Sequence, residues 1–135
     1  MPTVEDGLNR EDSMEKKIKV LLVEDEAFTA MSLQLELNRA GYDVYKITAT
    51  GEEAVVIVEQ EPPDIILMDI RLAGRIDGVE AARKIKTFND IPVIFMTGYT
   101  DEKIMEQAME LNPAAYFIKP IRVYELRNAI DSHIT

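Results

Sequence analysis

Four short stretches hold side chains that could do chemistry together: the acid run Glu24-Asp25-Glu26, the single acid Asp69 closing Ile65-Ile66-Leu67-Met68, the pair Thr97-Gly98 and the pair Lys119-Pro120. Each follows a run of apolar residues. A carboxylate, a hydroxyl and an ammonium in one place suit phosphoryl transfer, where charge on the phosphoryl oxygens must be neutralised while the nucleophile is held in line. Asp69 is the candidate nucleophile, because an ionised carboxylate needs no general base and would become an aspartyl phosphate. Lys119 would set a compact positive charge on the phosphoryl group, and the Thr97 hydroxyl would donate a hydrogen bond to another of its oxygens. If Glu24 and Asp25 stand beside Asp69, carboxylates crowd one small site. The usual relief is a divalent cation with oxygen ligands, most simply Mg²⁺.

Singly, each of these residues has an ordinary reading. An acid after a strand is usually a solvated loop residue, Glu26 suits the positive end of a helix dipole, Thr97 could start a helix and Lys119 could be a surface cation. Their joint placement decides between the readings, and that placement depends on the elements that carry them.

The centre is residues 63–70. A run from Ile65 to Met68 without polar alternation marks a strand buried on both faces; periodicity alone also allows a short buried helix, and Pro62-Pro63 argues for the strand. Residues 18–23 form a first strand, and Ala30, Leu33, Leu37 and Ala40 recur at helical spacing as far as Gly41, the usual left-handed stop. A second strand covers residues 43–48. The pattern Thr50-Gly51-Glu52-Glu53 is a capping box opening a helix to about Gln60. Asp77 caps a third helix carrying Val79, Ala82 and Ile85, and residues 91–96 are again continuously apolar. Thr100 is expected to cap a fourth helix with Ile104, Ala108 and Leu111 on one face, stopped by Asn112-Pro113. A short fifth strand spans residues 114–118, and Val123, Leu126 and Ile130 mark a last helix to about His133.

Strands alternating with helices imply right-handed crossovers and a parallel sheet covered on both faces, an α/β doubly wound fold with five strands and five helices. Ligands of such sheets bind beyond the carboxyl ends of the strands, where all the candidate residues lie. If the strand order is 2-1-3-4-5, the first and third strands are neighbours and Glu24 and Asp25 come beside Asp69.

Composition limits the alternatives. A chain of 135 residues is one ordinary domain. Its net charge of −10 repels phosphate backbones and disfavours direct nucleic-acid binding. No apolar run approaches the roughly 18 residues of a membrane helix, and the amino terminus lacks the apolar centre of a secretory signal. With no cysteine in the chain, thiolate catalysis and zinc-thiolate sites are excluded, and a cytoplasmic location is expected. Residues 1–17 lack periodicity and read as a charged tail, a frayed helix or a leader, with the domain at residues 18–135. The lone histidine, His133, reads as solvated and the methionines as core filler.

Taken together, Val23-Glu24-Asp25-Glu26, Met68-Asp69-Ile70, Asp77-Gly78, Thr97-Gly98 and Lys119-Pro120, in this order and each at an element boundary, resemble the receiver domain of two-component response regulators. The likeness runs from about Lys17 to His133. It implies the 2-1-3-4-5 order, Mg²⁺ held by Glu24, Asp25, Asp69 and the backbone carbonyl of Arg71, and phosphorylation of Asp69 by a sensor histidine kinase. It also implies a cis Lys119-Pro120 bond and a switch through Thr97 and Tyr116 that alters the face made by the fourth helix, fifth strand and fifth helix. On that face Met105, Met109, Ile121, Tyr124, Arg122 and Arg127 are expected to meet a downstream protein or a second copy of the chain. Tyr116 has an equally good reading as a partly buried edge-strand aromatic.

The loop from Asp69 to Gly78 is one residue longer than usual in the family. Arg71 and Tyr99 are bulky where family members control access of water to the phosphoryl group. The leading expectation is a phosphorylation-controlled switch without separate substrate turnover and, because the chain ends just after the last helix, without its own output domain. A receiver-like interaction module working without phosphorylation would be signalled by loss of Asp69 or Lys119, and both are present. An aspartyl phosphatase wants an acid where Arg71 stands, and a flavin or nucleotide binder wants a phosphate loop where Glu24-Asp25-Glu26 stands.

Overall fold

The computed structural model describes residues 16–99 and 101–134. In chain order the elements are β1 (Lys19–Val23), α1 (Ala27–Arg39), β2 (Asp43–Thr48), α2 (Gly51–Gln60), β3 (Ile65–Asp69), α3 (Gly78–Lys86), β4 (Val93–Thr97), α4 (Glu102–Met109), β5 (Ala115–Ile118) and α5 (Val123–His133). The strands pair in parallel in the order β2-β1-β3-β4-β5. The doubly wound fold is thus the one the alternation of elements implies. Among the described residues no helix is long and apolar enough to cross a membrane. Residues 1–15 of the expected tail lie outside the described residues.

The period of two along the central strands sorts the core into two layers. Leu21 and Val23, Ile66 and Met68, and Phe95 pack with Ala54 and Val58 of α2, Val79 and Ile85 of α3 and Ala108 of α4. Their alternates Val20, Leu22, Ile65, Leu67, Ile94 and Met96 pack with Ala30 and Leu37 of α1 and with Leu126 and Ile130 of α5. Every residue of β3 is buried. Each large side chain fully buried there stabilises the fold by roughly 1.5–3 kcal/mol, so the strand ending in Asp69 is firmly held.

The helix starts differ from expectation in two places. Thr100 lies outside the described residues, and α4 is capped by Asp101, whose carboxylate accepts from the N–H groups of Lys103 at 3.0 Å and Ile104 at 3.3 Å. At α2 only half of the capping box forms. Thr50 Oγ1 accepts from Glu53 N at 3.1 Å, but the Glu53 carboxylate takes the Thr48 hydroxyl instead of reaching back to the Thr50 N–H. The Asp77 cap is present, accepting from Glu80 N at 2.8 Å, an interaction typically worth about 1 kcal/mol. The fourth strand starts at Val93, two residues later than its apolar run; Pro92 has no N–H to donate, although its carbonyl still accepts from Ile66 N at 3.0 Å.

Gly78 ties α3 to the end of β3. Its N–H donates to Ile70 O at 2.8 Å, and a Cβ at this residue would lie 2.1 Å from the Asp69 carbonyl oxygen. Backbone cannot retreat from that clash without moving Asp69. Gly78→Ala is therefore expected to destabilise the protein by about 3 kcal/mol, measured by urea unfolding; a loss under about 0.5 kcal/mol would show that the two segments are not so closely docked.

Candidate functional site

Parallel pairing places the carboxyl ends of the central strands along one rim. Glu24 follows β1 and stays in register because its N–H donates to Thr48 O at 2.9 Å. Asp69 closes β3 opposite Met96 of β4, and Thr97 closes β4 opposite Ile118 of β5. One residue on, the Lys119 N–H donates to Thr97 O at 2.7 Å, extending the ladder, and the Lys119-Pro120 peptide is cis. The Lys119 side chain then crosses the end of β4, and its Nζ donates to Asp69 Oδ2 and to Glu24 Oε1, each at 2.8 Å. Both carboxylates are buried. The second oxygen of each is served by backbone: Glu24 Oε2 accepts from Glu26 N at 3.1 Å and Asp69 Oδ1 from Arg71 N at 3.3 Å.

A cleft of about 390 Å³ opens over this cluster, lined by Glu24, Asp25 and Glu26 from one loop, by Arg71 from a second and by Gly98 and Tyr99 from a third. The Arg71 guanidinium lies 4.0 Å from the centroid of the Tyr99 ring, a cation–π stack at the mouth. Burial pushes the Glu24 carboxyl above its ordinary value, outweighing the Lys119 hydrogen bond and the Glu26 N–H, with the Asp69 charge adding to the rise. Burial alone would lower the Lys119 ammonium, but its hydrogen bonds to Asp69 and Glu24 and their negative charges outweigh it and raise the pKa.

The cluster fits a hard divalent cation. Glu24, Asp25 and Asp69 can each present one carboxylate oxygen, all within 4.8 Å of one another, and an all-oxygen donor set of this charge is what Mg²⁺ takes. Asp25 is the exposed member and faces the cleft, whereas Glu24 is already engaged by Lys119.

Two expected site residues stand apart from the cleft. The Thr97 hydroxyl accepts from Tyr99 N at 3.1 Å, and Thr97 lines a separate cavity of about 190 Å³ with Ile70, Asp77 and Ile104. Tyr116 is half-buried beside Phe95, their ring centroids 6.4 Å apart, and packs with the α2–α4 layer. On the expected output face, Met105, Met109 and Tyr124 are exposed, as is Ile118, which the sequence reading passed over because it ends an apolar strand. Ile121 and Arg127 belong elsewhere. Ile121, two residues before α5, packs into the α1–α5 layer, and Arg127 lines a cavity with Tyr42 and Asp131 because α5 turns it toward the end of α1. The exposed stripe Phe28, Met31 and Leu35 on α1 was also missed, although its spacing of three and four residues is visible once the buried stripe is set aside.

Comparison with known proteins meets this geometry directly. The family model described as the response regulator receiver domain matches residues 20–131. The chain belongs to the response regulator receiver family. It is 33% identical over 113 residues to the transcriptional regulatory protein PdtaR of Mycobacterium tuberculosis, covering 84% of this chain but 55% of that protein, so it spans about half of that relative's length. It is 32% identical over 117 residues to the sporulation initiation phosphotransferase F of Bacillus subtilis, covering 86% of this chain and 93% of the relative. Among solved structures, the signal receiver domain of a modulated diguanylate cyclase from Desulfovibrio desulfuricans G20 superposes with a TM-score of 0.83 at 37% identity, covering 88% of this chain and 94% of that one. Receiver domains are signalling modules of two-component systems that bind Mg²⁺ at an acidic pocket and interact with histidine kinases and downstream proteins.

The receiver's acidic pocket is held together, without metal, by one ammonium. Lys119→Met is expected to destabilise the metal-free protein by about 1.5–3 kcal/mol and to increase the rise in melting temperature given by saturating Mg²⁺, since two buried carboxylates then lack their cation. Melting curves with and without Mg²⁺ check this, an equal rise in parent and variant being the contrary result. Alkali acts on the parent in the same sense: because the folded pKa of Lys119 is raised, this stabilisation is complete below pH 10.5 and is lost as pH climbs through the folded value.

Proposed function

We propose that this receiver is a phosphorylation-controlled switch whose acceptor is Asp69 and whose donor is the phosphohistidine of a sensor kinase, with residues 18–135 as the signalling unit. The observation that carries the reading is the Lys119 ammonium 2.8 Å from both Asp69 and Glu24, with Asp25 beside them at the cleft. Asp69 attacks phosphorus through a carboxylate oxygen; a P–O bond forms as the P–N bond breaks, and the imidazole nitrogen keeps the electron pair. Lys119 steadies charge on the phosphoryl oxygens, and the buried floor of β3 keeps the nucleophile in line. Glu24, Asp25, Asp69 and the Arg71 carbonyl would hold Mg²⁺, which when bound supplies further charge neutralisation at the phosphoryl group. The exposed Phe28, which lines a cavity together with Glu24 and Lys119, offers an incoming donor an apolar foothold.

Incubation with a small phosphodonor and Mg²⁺ should add one phosphoryl mass to the parent and none to Asp69→Asn. Equal labelling of both, or none of the parent, would remove the reading, the second outcome favouring a binding module that works without phosphorylation. Once formed, the aspartyl phosphate should be lost slowly, because the Arg71–Tyr99 stack crowds the path of an attacking water. The double variant Arg71→Ala, Tyr99→Ala should lose phosphate faster than the parent by on the order of tenfold; a slower loss would contradict the crowding argument.

The signal leaves through Thr97. Its hydroxyl is held by Tyr99 N and can reach a phosphorylated Asp69 only if the loop after β4 is drawn toward the site, which vacates space near Tyr116. The surface of α4, β5 and the start of α5, with Met105, Met109, Ile118 and Tyr124 exposed, then changes shape and favours a downstream protein or a second copy of the chain. Phosphorylation should alter amide exchange within residues 99–127; changes confined to α1 and α2 would exclude this route.

A further inference from the structure

The loop between β3 and α3 carries Arg71, and it is held at two places. At its base, Gly78 N donates to Ile70 O at 2.8 Å. At its tip it leans on the first turn of α2: Ala73 forms an isolated parallel bridge with Thr50, and Arg75 N donates to Glu52 Oε2 at 2.8 Å. The other oxygen, Glu52 Oε1, is closed off from solvent and has no hydrogen-bond partner among the described residues. What covers it is Gly74. That residue has φ +94°, and a Cβ on it would lie 2.6 Å from Oε1.

An acid in the first turn of a helix ordinarily sits in water and serves the dipole, a role that needs neither a shielded oxygen nor a glycine folded over it. Glu52 does more than that, because the loop is wrapped on its carboxylate. The Arg75 N–H, with smaller help from nearby backbone N–H groups, holds its carboxyl below the usual range. Arg71 lies between the two anchors, with its N–H on Asp69 Oδ1 at 3.3 Å and its guanidinium on Tyr99. A shift of the loop tip is therefore passed to the peptide unit next to Asp69.

We propose that Glu52 is a positioning residue for the Asp69 site, clamping the β3–α3 loop so that the Arg71 backbone is already arranged for the cation. This rests on the reading of the cleft as a Mg²⁺ and phosphoryl site. A loop that is ordered beforehand loses little freedom when the cation arrives, and partners of a ligand that do not themselves touch the metal commonly change its affinity by about 10- to 100-fold.

The test compares the parent with Glu52→Ala and Glu52→Gln, the second keeping a carbonyl oxygen for the Arg75 N–H. In metal-free Glu52→Ala, the Arg75 amide should exchange on the order of tenfold faster while the amides of β3 keep their protection, showing that the fold is intact. Its Mg²⁺ dissociation constant should rise by about tenfold, and Glu52→Gln should stay within about threefold of the parent in both measurements. Unchanged exchange at Arg75 in Glu52→Ala would overturn the clamp. Faster exchange with unchanged Mg²⁺ affinity would overturn its role at the site. A parent that binds no Mg²⁺ would overturn the reading of the cleft itself, and the exchange data would then still decide whether Glu52 holds the loop.

Discussion

The structure depends on one ammonium shared by two buried carboxylates. Glu24 and Asp69 lie on adjacent strands with little access to water, and ionised carboxylates are expensive to bury unless an opposite charge is hydrogen-bonded to them. Lys119 provides it from β5, which is not adjacent to β3, so its side chain must pass over the end of β4. A long unbranched stem ending in a compact charge can do this. A planar guanidinium would demand a different arrangement of both acceptors, so Lys119→Arg is not a neutral exchange.

The residues of this cluster are held first by backbone hydrogen bonds at the strand ends. Glu24 N to Thr48 O and Lys119 N to Thr97 O continue the strand ends past their last paired residues, and Gly78 N to Ile70 O closes the loop after β3. The apolar layers on both faces then hold the ends in register, so the acids are positioned by packing many residues away from them. The loops are different. They present the exposed Asp25, Arg71 and Tyr99 at the mouth of the cleft, above the buried cluster.

Strand ends were legible from the sequence because an apolar run that stops at a polar residue reports both burial and direction, and all of Glu24, Asp69, Thr97 and Lys119 stand at such stops. The order of the strands came only with the family resemblance. Local competition between acceptors was not legible. Asp101 caps α4 because a carboxylate accepts from two N–H groups at once, and Glu53 leaves its capping role for the Thr48 hydroxyl, a choice visible only when β2 is beside α2. Arg127 was placed on the output face for a related reason: chain proximity to β5 says nothing about the rotation of α5, which Leu126 and Ile130 set by packing toward α1. Glu52 was hidden inside a capping pattern whose first acid looked like an ordinary helix-start charge.

The same shared ammonium explains why phosphorylation would act as a switch. A phosphoryl group on Asp69 would carry about 1.5–2 negative charges in place of the carboxylate's one, and bring new acceptor oxygens to a place where one cation already serves two acids. Lys119 cannot satisfy Glu24 and the added oxygens as fully as it satisfies the present pair, so other donors gain in importance. Thr97, at the end of the adjacent β4, has a hydroxyl whose oxygen accepts the Tyr99 N–H and whose proton can be given to an acceptor. Drawing Thr97 inward exchanges that local contact for a charge-assisted one, which is about twice as strong, and so favours the second arrangement of the loop after β4. Because Tyr99 also carries the Arg71 stack, the two loops at the mouth must rearrange together. The change at Asp69 would thereby be converted from a difference in charge to a difference in packing that a partner protein can read.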